Sequence, residues 1–196
     1  MGEGADMVRM VLKNVIVGTP PLPSAVILAP IQEGEERPEV TVERERTASE
    51  VIDSSPTDVL PISVGMFEAA SISRGVDGHE AKRPDTHMLL LDSIVAMGGT
   101  LTSVSLTRVE GATFFATLDV RDAEGGRHHI DSRPSDAIAL ATRAEVDILA
   151  SEDVLTCAGL PNFEAIAEDE RTRETEAFHE FVENLSPEDF ELPREG

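Results

Sequence analysis

Residues 8–17 place apolar side chains at Val8, Met10 and Leu12, then without a break at Val15, Ile16 and Val17. That predicts a strand that alternates at first and becomes wholly apolar. Gly18-Thr19-Pro20-Pro21-Leu22-Pro23 predicts a turn, because prolines cannot donate to a sheet ladder. Residues 24–31, with Ala25-Val26-Ile27-Leu28-Ala29, return as the second strand of a hairpin. Residues 33–58 break the pattern. Their few apolar positions, Val40, Val42, Val51 and Ile52, are scattered among charges, which predicts a flexible acidic insertion.

Residues 59–64 resume as a strand, and Pro61 puts it at a sheet edge or near a strand start. Residues 66–74 follow as a helix with Glu68 in its first turn, where the dipole favours a carboxylate. After a loop, Arg83-Pro84-Asp85-Thr86-His87 opens another helix. Its buried face is expected to be His87, Leu90, Leu91, Ile94 and Met97, and Gly98-Gly99 ends it. Three strands then fill 100–108, 113–121 and 127–131, joined by acidic Gly-containing turns. In the second, Phe114, Ala116, Leu118 and Val120 share one face. Phe115, Thr117, Asp119 and Arg121 share the other, so the sheet has a more polar side.

Ile130-Asp131-Ser132-Arg133-Pro134-Ser135-Asp136-Ala137 turns a strand into a buried helix started by Pro134. Asp136 suits the positive end of that helix. Arg133 does not, so it calls for an anionic partner: Asp131, Asp136 or a bound anion. A short strand over 146–150 and a short helix to Ala158 complete the body. The tail is charged, with one amphipathic stripe of Phe178, Phe181, Val182 and Leu185, which is expected to cover its own domain or to build a homo-oligomer. The order of elements predicts one α/β (α+β) domain over 1–160. It has a mixed, largely antiparallel, twisted sheet with helices packed on it, followed by a helical acidic tail over 161–196.

Charge changes this picture only locally. The formal net charge of the 196 residues is −22, of which 33–58 contribute −6 and 164–196 contribute −9. The body is therefore mildly acidic and the appendages strongly so. Such a chain repels nucleic acid at long range, but a few arginines can still build a local phosphate site. The acidic arms would suit a basic protein partner. No apolar run spans a membrane, the start has no signal layout, and the single Cys157 forms no intrachain disulfide, which together predict a cytoplasmic protein. Cys157, just before Gly159, is expected in the core.

Standard signatures of phosphate loops, zinc sites and nucleophile elbows are absent. His128 and His129 are neighbours in a strand and point to opposite faces, so they do not bind one metal together. What remains is Glu68, Arg83, His87, Asp131, Arg133, Ser135 and Asp136, each at or near a helix start. Glu68, Asp131 and Asp136 could hold Mg²⁺ or Mn²⁺. Arg83, Arg133 and Ser135 could hold phosphate, and His87 could move a proton. The same set works equally well as an ion-pair network that ties helices to a sheet.

Leu60-Pro61-Ile62-Ser63-Val64-Gly65 with Glu68-Ala69, then Arg83-Pro84-Asp85-Thr86-His87, then Asp131-Ser132-Arg133-Pro134-Ser135-Asp136-Ala137, closely resemble the bifunctional nuclease domain family. The resemblance spans roughly 8–160, and the ending from Ala177-Phe178 to Pro187-Glu188-Asp189-Phe190 is similar to that of bacterial members. It implies a mixed α/β domain, and the family's name implies cleavage of DNA and RNA, an activity described for plant members. It favours an oligomer. Residue by residue it marks Glu68, Arg83, His87, Asp131, Arg133, Ser135 and Asp136. The chain departs from the pattern at 33–58, where most members have a short turn. The expected function is a metal-assisted nuclease; the alternative is a non-catalytic regulatory or protein-interaction module.

Overall fold

A computed structural model describes residues 6–32, 34–53, 59–78 and 82–158. Two antiparallel meanders are joined into one eight-stranded sheet by the last of the described strands. β1 (Met7–Ile16) and β2 (Ser24–Pro30) form the expected hairpin. Gly18 turns the chain where a Cβ would lie 2.4 Å from the Leu22 and Pro23 carbonyl oxygens, so no other residue fits. β4 (Leu60–Val64) adds to β2 as an end strand, which accommodates Pro61. β5 (Thr100–Glu110), β6 (Thr113–Arg121) and β7 (Arg127–Ser132) form the second meander. β8 (Asp147–Ser151) pairs antiparallel with β1 and parallel with β5, giving the order β4-β2-β1-β8-β5-β6-β7.

Helices pack on this mixed, mostly antiparallel sheet. They are α2 (Met66–Val76), α3 (Thr86–Ala96), α4 (Pro134–Ala144) and α5 (Glu152–Ala158). α4 is central: Ala137, Ile138, Ala139, Leu140 and Ala141 are all buried in the main core. Its alanines let it lie close against β5, β6 and β8 while α2 packs along its side. α5 touches β4 as well as β5 and β8, so the sheet curls.

The acidic stretch is not structureless over its described part. β3 (Thr41–Glu43) pairs parallel with the end of β1. α1 (Ala48–Asp53) brings Ala48, Val51 and Ile52 into a second buried cluster with Ile16, Ala25, Ile27 and Ala29. The reason lies in β2. Val26 and Leu28 serve the main core, so Ala25, Ile27 and Ala29 on its other face also need cover. A capping box starts α1: Glu50 Oε2 accepts from the Thr47 N–H at 2.7 Å and from its hydroxyl at 2.9 Å. These bonds, the backbone one first, hold the exposed Glu50 carboxyl below its usual range.

Three further expectations change. The stripe on α3 is only partly buried: Ile94 is inside, but Leu90 is 42% and Met97 75% exposed. α3 also exposes Met88, Leu89 and Val95, so it is apolar nearly all round and its sequence period does not select one face. Cys157 is exposed rather than in the core. The two Arg-Pro corners are also not equivalent. Asp85 caps α3, its carboxylate accepting from the Met88 N–H at 3.0 Å, and Pro84 stays outside the helix. At α4 the proline itself is the first helical residue and Arg133 stands at the cap. The tail over 161–196, including the stripe from Phe178 to Leu185, lies outside the described residues. No helix among the described residues is long and apolar enough to cross a membrane.

Candidate functional site

The start of α4 forces a charge conflict, and the fold resolves it with two carboxylates. Arg133 faces the positive end of its own helix. Its Nε donates to Asp136 Oδ2 at 2.7 Å and its Nη2 to Asp136 Oδ1 at 3.1 Å. Its Nη1 reaches Glu68 Oε1, from the first turn of α2, at 3.3 Å. The Arg133 side chain remains 65% exposed. Asp136 also meets His87, the second residue of α3, with Nε2 at 3.1 Å from Oδ1. Burial acts to raise the Asp136 pKa, but the hydrogen bonds from Arg133 and His87 outweigh it and hold the carboxyl below its usual range.

The chain of contacts continues inward. His87 Nδ1 lies 3.1 Å from the Ser71 hydroxyl. Arg143, only 6% exposed, donates to Ser71 Oγ at 3.2 Å, to the Ser71 carbonyl at 2.9 Å and to Asp85 Oδ2 at 2.8 Å. Asp85 is also held below its usual range: burial works against this, and the Met88 N–H and the Arg143 charge prevail. Ser71, His87 and Asp136 line up like a serine–histidine–aspartate relay. Ser71 is buried, however, so its hydroxyl is shielded from a substrate and instead locks the His87 ring.

Of the residues singled out from sequence, Glu68, His87, Arg133 and Asp136 thus come together. Arg83 is exposed and joins no ion pair among the described residues. Asp131 sits opposite Thr117 on β7, whereas its neighbour Ile130 sits opposite the core residue Leu118; Asp131 therefore lies on the outer face of the sheet, away from α4. Ser135 is buried and its hydroxyl makes no hydrogen bond among the described residues. The expected three-carboxylate set is not assembled, and no three His, Cys, Asp or Glu side chains among the described residues gather to hold a metal ion. Sequence reasoning missed Ser71, Asp85 and Arg143. Arg143 was readable as the residue two turns beyond Asp136 on the same side of α4.

The outer face of β5–β6–β7 carries a second polar group. Asp119 Oδ2 accepts from the Ser103 hydroxyl at 2.9 Å and from the Ser105 hydroxyl at 2.8 Å. Its Oδ1 meets His129 Nδ1 at 2.6 Å. His128 bonds Asp122 instead, with Nε2 at 2.7 Å from Oδ2. The two histidines therefore serve separate acids, as their strand alternation requires.

A family model described as "Bifunctional nuclease domain" matches residues 51–162. Uncharacterized proteins from two strains of Mycobacterium tuberculosis, CDC 1551 and H37Rv, are each 38% identical over 135 residues, covering 67% of this chain and 80% of theirs.

Proposed function

The chain belongs to the bifunctional nuclease domain family, and we propose that it hydrolyses phosphodiester bonds of DNA or RNA at the start of α4. The observation that supports this reading most is the display of Arg133. Asp136 grips two of its nitrogens and leaves the Nη1 edge on the longer 3.3 Å contact to Glu68. An incoming phosphate oxygen would take over Nη1 at a helix N-terminus, where backbone N–H groups and the dipole favour an anion. Glu68, released from Arg133, would then accept a proton from the attacking water. As the phosphorus–oxygen bond breaks, His87 Nε2 would exchange its Asp136 contact for the leaving oxygen and give it a proton, with Nδ1 held on Ser71. These steps run on the chain's own groups. Mg²⁺ or Mn²⁺ enters as an assay variable, since Glu68 and Asp136 would be its carboxylate contacts at a bound phosphate.

Cleavage of single- and double-stranded DNA and RNA, with Mg²⁺, Mn²⁺ or EDTA, tests this. Arg133→Ala and Asp136→Asn should each lose about 10²-fold or more while remaining folded. Activity that persists unchanged in both variants would sink the assignment.

A second reading has one observation in its favour: the network is already satisfied. Both His87 nitrogens and the Arg133 guanidinium have partners within the chain. In that reading the corner is structural, and the acidic stretches dock a basic protein. Wild-type protein with no cleavage under any metal condition, alongside variants that only lose stability, would favour it.

A further inference from the structure

Cross-strand register places two unlike pairs side by side on the outer face. Asp119 stands opposite His129, and the next pair on that face sets Arg121 directly opposite Arg127. Like charges in direct cross-strand register repel. Folded chains tolerate such a pair readily when an anion sits between the two cations. Neither arginine side chain has a hydrogen bond or ion pair among the described residues. The nearby acids are engaged elsewhere. Asp119 is clamped by Ser103, Ser105 and His129. Asp122 accepts from His128 and from the Glu124 and Gly126 N–H groups.

The arginines line a cleft of ≈ 300 Å³ together with Thr102, Ser103, Asp119 and His129. That is at the lower end of small-ligand sites. His129 is 69% exposed, and with Nδ1 fixed on Asp119 its free nitrogen is Nε2. That aspartate fixes the ring orientation and leaves Nε2 as a third contact for an anion beside the two arginines. The cleft and the Arg133 corner lie on opposite faces of the sheet, so neither depends on the other.

We infer that this cleft is a binding site for a phosphate group, held between the guanidinium groups of Arg121 and Arg127 and contacted by Nε2 of His129. Two planar guanidiniums match the oxygens of a phosphate better than those of a single carboxylate. The net charge of −22 repels a long polyanion far more than it repels one terminal phosphate. The ligand is therefore free phosphate or a small phosphate monoester rather than a polynucleotide backbone.

Titration calorimetry on the full chain at low ionic strength tests this, with three probes. These are inorganic phosphate, a 5′-mononucleotide, and a short oligonucleotide without a terminal phosphate. The mononucleotide or free phosphate should bind, and each of Arg121→Gln and Arg127→Gln should weaken it roughly tenfold. Circular dichroism confirms that the variants fold, and the His129 ring signals should shift in wild-type NMR spectra as phosphate is added. A stronger response to phosphate than to the mononucleotide identifies the free anion as the ligand; the reverse identifies an ester. Binding that survives unchanged in the double variant, or unmoved His129 signals at saturation, overturns the site. Tighter binding of the unphosphorylated oligonucleotide than of either phosphate overturns the monoester assignment.

Discussion

The start of α4 and the outer face of β6–β7 use the same residue types with opposite electrostatic results. At the corner, charges alternate in sign from Arg143 through Asp85, and again through Asp136, Arg133 and Glu68. Each cation there has a carboxylate at hydrogen-bond distance, so the network helps hold α2, α3 and α4 together. On the outer face, Arg121 stands against Arg127 while the neighbouring carboxylates bind histidines and serines. A satisfied corner can bind a phosphate only by exchanging a partner, whereas an unsatisfied pair binds one by gaining a partner. Charge content alone would rank the two regions equally; the count of partners separates them.

The sharpest way to break this contrast is at its most buried point. Arg143→Ala removes the donor that serves Asp85, the Ser71 carbonyl and the Ala139 carbonyl. Loss of one partner of a buried pair costs about 3–5 kcal/mol, and Asp85 keeps some water, so about 3 kcal/mol is expected in urea unfolding. Arg133→Ala, at an exposed pair, should cost about 1 kcal/mol or less. Near-equal losses would mean that the corner is not a graded network running from core to surface.

Much of this arrangement was legible in the chain, and the exceptions have physical causes. The hairpins, the curled mixed sheet and the Arg133–Asp136 contact follow from alternation, turn residues and the dipole conflict at Pro134. α1 was hidden because its capping residues Thr47 and Glu50 read as part of a charge run. Its demand came from elsewhere: β2 is apolar on both faces and needs a second cover. Arg83 looked equivalent to Arg133 because both precede a proline, yet Asp85 starts the first helix and fixes a different register. The polar side of β6 was visible as Thr117, Asp119 and Arg121. That Arg127 would face Arg121 depended on the β6–β7 register, which the sequence of one strand does not contain.

A smaller effect sharpens the corner through pH. The carboxyls of Asp136 and Asp85 lie below their unfolded value of about 3.9. Folding therefore favours their ionised forms. Their stabilisation is complete above about pH 4 and is lost as pH falls through the folded pKa values. Asp136→Asn should cost about 1 kcal/mol at neutral pH and less in acid, because the wild-type contribution disappears there too. Urea midpoints measured from pH 7 down to pH 2 would show the two proteins converging. A constant gap across that range would mean that Asp136 acts by packing rather than by charge.

The smallest effect has the opposite sign. Arg127→Gln keeps the length and most of the stem of the side chain but removes one of two facing charges on β6–β7. In ligand-free protein it should leave stability unchanged or raise it by a few tenths of a kcal/mol, within the ~0.2–1 kcal/mol range of cross-strand pairs. Arg127→Glu should raise it further by pairing with Arg121. Both gains should shrink at high salt, because exposed charges are screened within about 3 Å at 1 M. A double-mutant cycle over Arg121 and Arg127 then gives a repulsive coupling, where the cycle over Arg133 and Asp136 gives an attractive one. Added phosphate should reverse the order, stabilising wild type and leaving Arg127→Gln nearly unmoved, because a ligand stabilises only the protein that binds it. If Arg127→Gln instead destabilises the ligand-free protein by more than about 0.5 kcal/mol, Arg127 has a partner within the chain and the outer face is as closed as the corner.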